Sequence, residues 1–116
     1  NATVNPLEQA CDAVGSAAEL ARRLGVKPPT ISQWALGFDE ATGRLRDIAT
    51  LRADSRWRPI PKERCPEIEL VTAGQVVVEA LRPDVCWVRV DDAAWPGGRG
   101  RPCIDVMGAE VLPRAA

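Results

Sequence analysis

A chain of 116 residues holds one ordinary domain, and 46% hydrophobic with 27% charged residues is the composition of a globular domain rather than a disordered one. A single Phe, four Trp and no Tyr make its core largely aliphatic. A formal charge of −1 gives no whole-chain attraction to a polyanion.

No run approaches the roughly 20 apolar residues of a membrane span, and the N-terminus has neither a basic n-region nor an apolar h-region, so a cytoplasmic protein is expected. Asn1-Ala2 reads as a leftover of an expression tag. Cys11, Cys65, Cys86 and Cys103 contain no CxxC pair and the chain has no His, so no metal site and no cofactor are expected. The cysteines are read as reduced, with Cys11 and Cys65 packed inside helices. Without His, and with no nucleophile elbow or phosphate loop, nothing points to an enzyme.

In chain order, Asn5-Pro6-Leu7-Glu8 reads as an N-cap, a proline at the first helical position and a carboxylate near the positive helix end. Leu7, Ala10, Cys11 and Val14 give that helix a buried stripe, and Gly15 ends it. Ser16-Ala17-Ala18-Glu19 is a capping box for a second helix running to about Leu24. Gly25 allows a left-handed turn, Val26 tucks inward, and Pro28 opens a third helix to about Leu36.

Gly37 stops it. Leu45, Ile48 and Leu51, at spacings of three, predict a fourth helix within Asp39 to Arg56, interrupted early by Gly43. A further helix is predicted from about Pro61 to Thr72, with Pro66 tolerated near its first turn. Val76-Val77-Val78 and Val85 to Val90 are β-leaning, separated by a helical turn at Glu79-Ala80-Leu81. Pro96 to Pro102 is a loop by composition, and Cys103 to Val106 a last strand.

Charge is unevenly placed. Residues 1–38 balance, 39–64 carry seven basic against five acidic groups, and 65–116 carry eight acidic against five basic groups. One positive face is compatible with an acidic remainder.

Ala17, Ala21, Gly25, Val26, Ile31 and Trp34 supply what two short crossed helices require. Ala21 permits close approach, Gly25 makes the turn, and Ile31 and Trp34 pin the third helix onto the second. Lys27, Pro28, Pro29, Thr30, Ser32 and Gln33 are left on the outer side, as in a recognition helix offered to the major groove of double-stranded DNA. Gln33 suits adenine, Ser32 and Thr30 can donate or accept, and apolar carbons suit a thymine methyl. Arg22, Arg23 and the amides around Ser16 and Ala17 suit phosphates.

Arg82, Pro83 and Asp84 read as a structural knot. Trp57, Trp87 and Trp95 read as packing groups in a core or interface, and Arg99-Gly100-Arg101 as a solvated loop.

Several separated stretches sharpen this reading: Asn5-Pro6-Leu7, Ala21-Arg22-Arg23-Leu24-Gly25-Val26, Pro28-Pro29-Thr30-Ile31-Ser32-Gln33-Trp34, Ile60-Pro61-Lys62-Glu63-Arg64-Cys65-Pro66-Glu67-Ile68-Glu69 and Leu81-Arg82-Pro83-Asp84-Val85. Through them the chain resembles the YdaS/Cro-like family of phage and prophage regulators and antitoxins. The resemblance implies a mainly all-α, lambda-repressor/Cro-like helix-turn-helix domain of about five helices over residues 5–90, followed by a C-terminal tail over 91–116. It implies a homodimeric repressor, or an antitoxin with a toxin protein as partner.

Typical members join the recognition-helix Trp to the Pro-containing helix by a short link. Here residues 36–57 read as an inserted helical segment, whose Leu45, Ile48 and Leu51, or else the β-leaning tail, are expected to supply the dimer surface. The competing class is a protein-interaction module that neutralises a toxin or another partner without touching DNA.

Overall fold

The computed structural model describes residues 5–104, so Asn1-Ala2 and the end of the last strand expected at Val106 lie outside the described residues. The chain is mainly helical: α1 (Pro6–Val14), α2 (Ala17–Leu24), α3 (Pro28–Ala35), α4 (Ile48–Arg52), α5 (Arg64–Val71) and α6 (Val78–Leu81) precede β1 (Trp87–Val90) and β2 (Arg101–Ile104). None of these helices is long and apolar enough to cross a membrane.

The first three helices begin and end on local signals. The Asn5 side chain accepts a hydrogen bond from the Leu7 amide at 2.9 Å, and its own amide donates to the Ala35 carbonyl at 3.2 Å, so one residue starts α1 and ties it to the end of α3. Gly15 follows α1 at φ 116°. Ser16 caps α2 by accepting from the Glu19 amide at 3.1 Å. The expected return bond from Glu19 to the cap does not form, because Arg22 and Arg23, one turn on, capture the Glu19 carboxylate.

Gly25, at φ 73°, closes α2. The Val26 amide bonds the Ala21 carbonyl at 3.0 Å, the pattern of a Schellman turn.

Leu7, Ala10, Leu20, Ala21, Leu24, Ile31 and Trp34 form the part of the core under the first three helices, and Phe38, Ile60, Cys65, Ile68, Val76, Val78 and Leu81 complete it. Cys65 is buried as expected, and burial pushes its thiol up to about 12, so it stays protonated at neutral pH. Cys11 is half-buried, and all four cysteines are free thiols.

The segment after α3 departs from expectation. In place of a helix through Asp39 to Arg56 there is a small hairpin, closed by an antiparallel bridge between Phe38 and Leu45, and then the five-residue α4. Asp39 turns the chain: its carboxylate accepts from the amides of Ala41 (2.7 Å) and Thr42 (3.1 Å), and Gly43 adopts φ 72°. That local alternative outcompetes helix formation until Asp47 caps α4 through the Thr50 amide at 3.2 Å. Leu51 is fully buried and Leu45 packs on the core, so Leu45, Ile48 and Leu51 do not make an exposed stripe for a second chain.

α5 begins at Arg64, after a turn in which the Arg64 amide bonds the Pro61 carbonyl at 2.9 Å. Val76 to Val78 is not extended sheet. The buried Glu69 carboxylate accepts the Val78 amide at 3.0 Å and commits Val78 to the first turn of α6.

β1 and β2 pair antiparallel, with Trp87 opposite Ile104 and Val90 opposite Arg101. Glu69 also holds this sheet to the helices, accepting from both terminal nitrogens of Arg89 (2.6 and 2.9 Å) and from the Trp95 indole (2.7 Å). Arg82 is the expected knot, bonded to Asp84 at 2.7–2.9 Å and to the Ile60 carbonyl at 2.7 Å. The loop arginines are tethered as well, Arg99 to the Gly74 carbonyl at 3.2 Å and Arg101 to Asp92 at 3.4 Å.

Candidate nucleic-acid interface

Small and bulky residues divide α2 and α3 into a hidden side and a presented side. Ala21 is 1% exposed and lets α3 approach; Ile31 and Trp34, each 3% exposed, fill the contact from α3. Lys27, Pro28, Pro29 and Ser32 stay exposed, with Thr30 and Gln33 half-buried at the edges of the same face. Proline at the first two positions of α3 costs nothing there, since those amides have no intrahelical partner. Of the expected motif residues, Ala21, Ile31 and Trp34 are buried, Gly25 makes the turn, and Val26 packs against the core.

The expected phosphate-contacting arginines are exposed but engaged. Arg22 bonds Glu19 through two nitrogens, one of them at 3.0 Å, and Arg23 bonds the same carboxylate at 2.7 Å. Those hydrogen bonds, Arg22 first and then Arg23, hold the Glu19 carboxyl at about 2, well below the usual carboxylate range. A phosphate reaching either arginine meets a carboxylate already in place.

Beside α3 lies an open cleft of about 720 Å³, whose lining includes Ala17, Ser32, Leu36 and residues of the 38–46 hairpin. Glu8, Asp39 and Glu40 reach its lining, so the start of α2 faces carboxylates as well as solvent. Arg46 lies in the same lining, donating to the Leu36 carbonyl at 3.2 Å where α3 ends. Periodicity did not single out Arg46, because its place depends on the hairpin.

α5 braces the motif from behind. Arg64 bonds the Leu24 carbonyl at the end of α2 and the Glu67 carboxylate at 2.9 Å.

Two short helices joined by a left-handed glycine, the second buried along one side and polar along the other, make this a helix-turn-helix protein. The family described as bacterial toxin YdaS matches residues 7–53 and 53–90, and the chain belongs to that family.

Among its relatives is a protein of Escherichia coli (strain K12), whose name proposes it as the transcriptional regulator YdaS. It is 40% identical over 80 residues, which are 69% of this chain and 62% of the relative, so the chain spans under two thirds of that relative's length. Among solved structures, the Cro protein from the proposed prophage element Xfaso 1 of Xylella fastidiosa strain Ann-1 is 37% identical. That match covers 70% of this chain and 94% of the Cro chain, with a TM-score of 0.47.

Proposed function

We propose that this chain is a sequence-specific double-stranded-DNA-binding regulator of prophage type, acting as a homodimer. The observation that carries the reading is the two-sidedness of α3. Ile31 and Trp34 fix the helix from within, while Lys27, Pro28, Pro29 and Ser32 stand in solvent with Thr30 and Gln33 at the margins. A surface helix with short polar groups toward its N-terminal end is what a major groove accepts. The name of the E. coli relative supports the same reading.

In this reading Gln33 pairs with an adenine edge, Ser32 and Thr30 contact neighbouring bases, and the methylenes of Pro28 and Pro29 pack on thymine methyls. Arg22, Arg23 and the α2 amides near Ser16 and Ala17 take backbone phosphates. One eight-residue helix spans few base pairs, so two copies would read half-sites about 34 Å apart.

The experiment is a titration of labelled duplexes, including DNA from upstream of the coding region, at two ionic strengths, with light scattering for the oligomer. Specific retention that weakens steeply with salt is expected, because neutralised phosphates release counterions. Absence of binding at low salt would leave the protein-interaction class, whether toxin or toxin-neutralising partner. A monomer at high micromolar concentration would remove the homodimer.

A further inference from the structure

We propose that the hairpin following α3 is a second DNA-backbone contact, with Arg44 and Arg46 as its phosphate-binding groups. The proposal rests on the DNA-binding reading of α3 and adds residues that the helix-turn-helix itself does not supply.

Several of the chain's cations are already occupied. Arg22 and Arg23 are paired with Glu19, Arg56 with Asp54, Arg64 with Glu67 and Arg82 with Asp84. Arg44 and Arg46 are exposed and form no ion pair among the described residues; Arg52, Arg58, Lys62 and Arg99 form none either, so place in the fold decides among them. Among the described residues the Arg44 side chain makes no hydrogen bond either, and that of Arg46 touches only the neutral Leu36 carbonyl. Neither group is held in an ion pair, so a phosphate there displaces no carboxylate, whereas at Arg22 or Arg23 it must displace Glu19; Glu8, Asp39 and Glu40 share the cleft lining with Arg46.

Position supports the same assignment. The hairpin leaves directly from the end of α3, and Arg46 and Ser32 line one cleft, so the arginine stands beside the base-reading face. Lys27, likewise without an ion pair among the described residues, caps the other end of α3. Eight helical residues extend about 12 Å, close to the roughly 12 Å width of the major groove. Cations at the two ends of the helix therefore suit the two phosphate walls of the groove that receives it.

The hairpin is also held in place rather than draped. The Arg46 amide bonds the Gly37 carbonyl at 2.8 Å, and the Asp39 amide bonds the Arg44 carbonyl at 2.8 Å. The Trp57 indole packs so closely on Gly37 that a Cβ there would lie 2.5 Å from its nitrogen. Arginines mounted on such a support lose little freedom on binding. Of the hairpin acids, Asp39 is folded onto its own loop amides, which leaves Glu40 as the charge that opposes a phosphate.

The test measures affinity against salt for the full chain, with the wild type beside Arg44→Ala, Arg44→Lys, Arg46→Ala and Arg99→Ala. Arg99 is the distal control, tied to Gly74 far along the chain. Each hairpin alanine variant should weaken binding to specific and unrelated duplexes alike, and should lower the log–log salt slope by about 0.9 per bound copy of the chain. Arg44→Lys should keep the slope, Arg99→Ala should match the wild type, and Glu40→Gln should bind more tightly.

Arg44→Ala removes no side-chain hydrogen bond or ion pair among the described residues, so its far-ultraviolet circular dichroism should be unchanged, which separates a loss of contact from misfolding. Wild-type binding with unaltered slopes in Arg44→Ala and Arg46→Ala overturns the proposal alone. A wild type that binds no duplex at low salt overturns it together with the reading it rests on.

Discussion

Replacing Glu69 by Gln removes one charge and almost no volume from the most connected buried side chain of the protein. Its carboxylate is fully buried and accepts four hydrogen bonds: the Val78 amide and one Arg89 nitrogen on one oxygen, the other Arg89 nitrogen and the Trp95 indole on the second. A Gln side chain keeps one oxygen and turns an amide nitrogen toward two donors. Two bonds are lost, and a buried hydrogen bond to a charged group is worth about 1.5–3 kcal/mol. Arg89 retains Glu79 at 2.6 Å and the Gly100 carbonyl at 2.9 Å, which places the loss near the lower bound, about 3 kcal/mol.

For a domain of this size that lowers Tm by roughly 10 °C, measured by circular dichroism, with tryptophan fluorescence following Trp95. Burial pushes the Glu69 carboxyl up, but hydrogen bonds from Arg89, Trp95 and the Val78 amide outweigh it and hold the group below its ordinary 4.5. The wild type therefore has this stabilisation in full above pH 4.5 and loses it as pH falls through the lower folded value. The variant should lack that acid limb. A Glu69→Gln protein within 1 kcal/mol of wild type, with the same acid profile, would refute the assignment of Glu69 as the clasp between sheet and helices.

Gly37→Ala should destabilise the chain by about 1–3 kcal/mol in urea unfolding, because its Cβ would sit 2.5 Å from the Trp57 indole nitrogen. Gly25→Ala, forced to keep φ 73°, should cost about 1 kcal/mol in the same assay and leave the DNA sequence preference unchanged. Glu19→Gln should free Arg22 and Arg23 and tighten binding to all duplexes; unchanged or weaker affinity would show that the two arginines do not meet phosphates. Gln33→Ala should relax base preference at one position of the half-site in a competition assay, whereas Arg23→Ala should weaken every sequence alike.

The sequence disclosed most where structure is made by near neighbours. Asn5-Pro6, Ser16 three residues before Glu19, and Gly25 each act over a few residues, and the first three helices stand where those signals put them. The hairpin misled because three apolar residues at spacings of three suit a helix and also suit a loop that drops Leu45 and Leu51 inward from either side of a cap. The Asp39 turn with Gly43 decided between them. The Val76–Val78 run has strand propensity, but Val78 is claimed by a carboxylate nine residues earlier in the chain. Glu69 itself gave no signal, since its partners follow it by nine to twenty-six residues and are brought to it only by the tertiary fold.

The charge pattern explains how an acidic remainder can coexist with a surface suited to a polyanion. Among the described residues of the C-terminal half, four carboxylates are spent inside the chain: Glu69 and Glu79 on Arg89, Asp84 on Arg82, and Asp92 on Arg101. Each of those pairs fixes one piece of backbone to another and projects little field beyond a Debye length. Beside α3, Lys27, Arg44 and Arg46 form no ion pair among the described residues, although Glu8, Asp39 and Glu40 line the adjoining cleft. Net charge sums over these two populations and hides the difference. On the proposed reading a duplex would meet the local set of charges, so a formal charge of −1 is no argument against that reading. By the same reading Glu19 opposes binding at α2 as Glu40 does at the hairpin, because it is the carboxylate that holds both exposed arginines of α2.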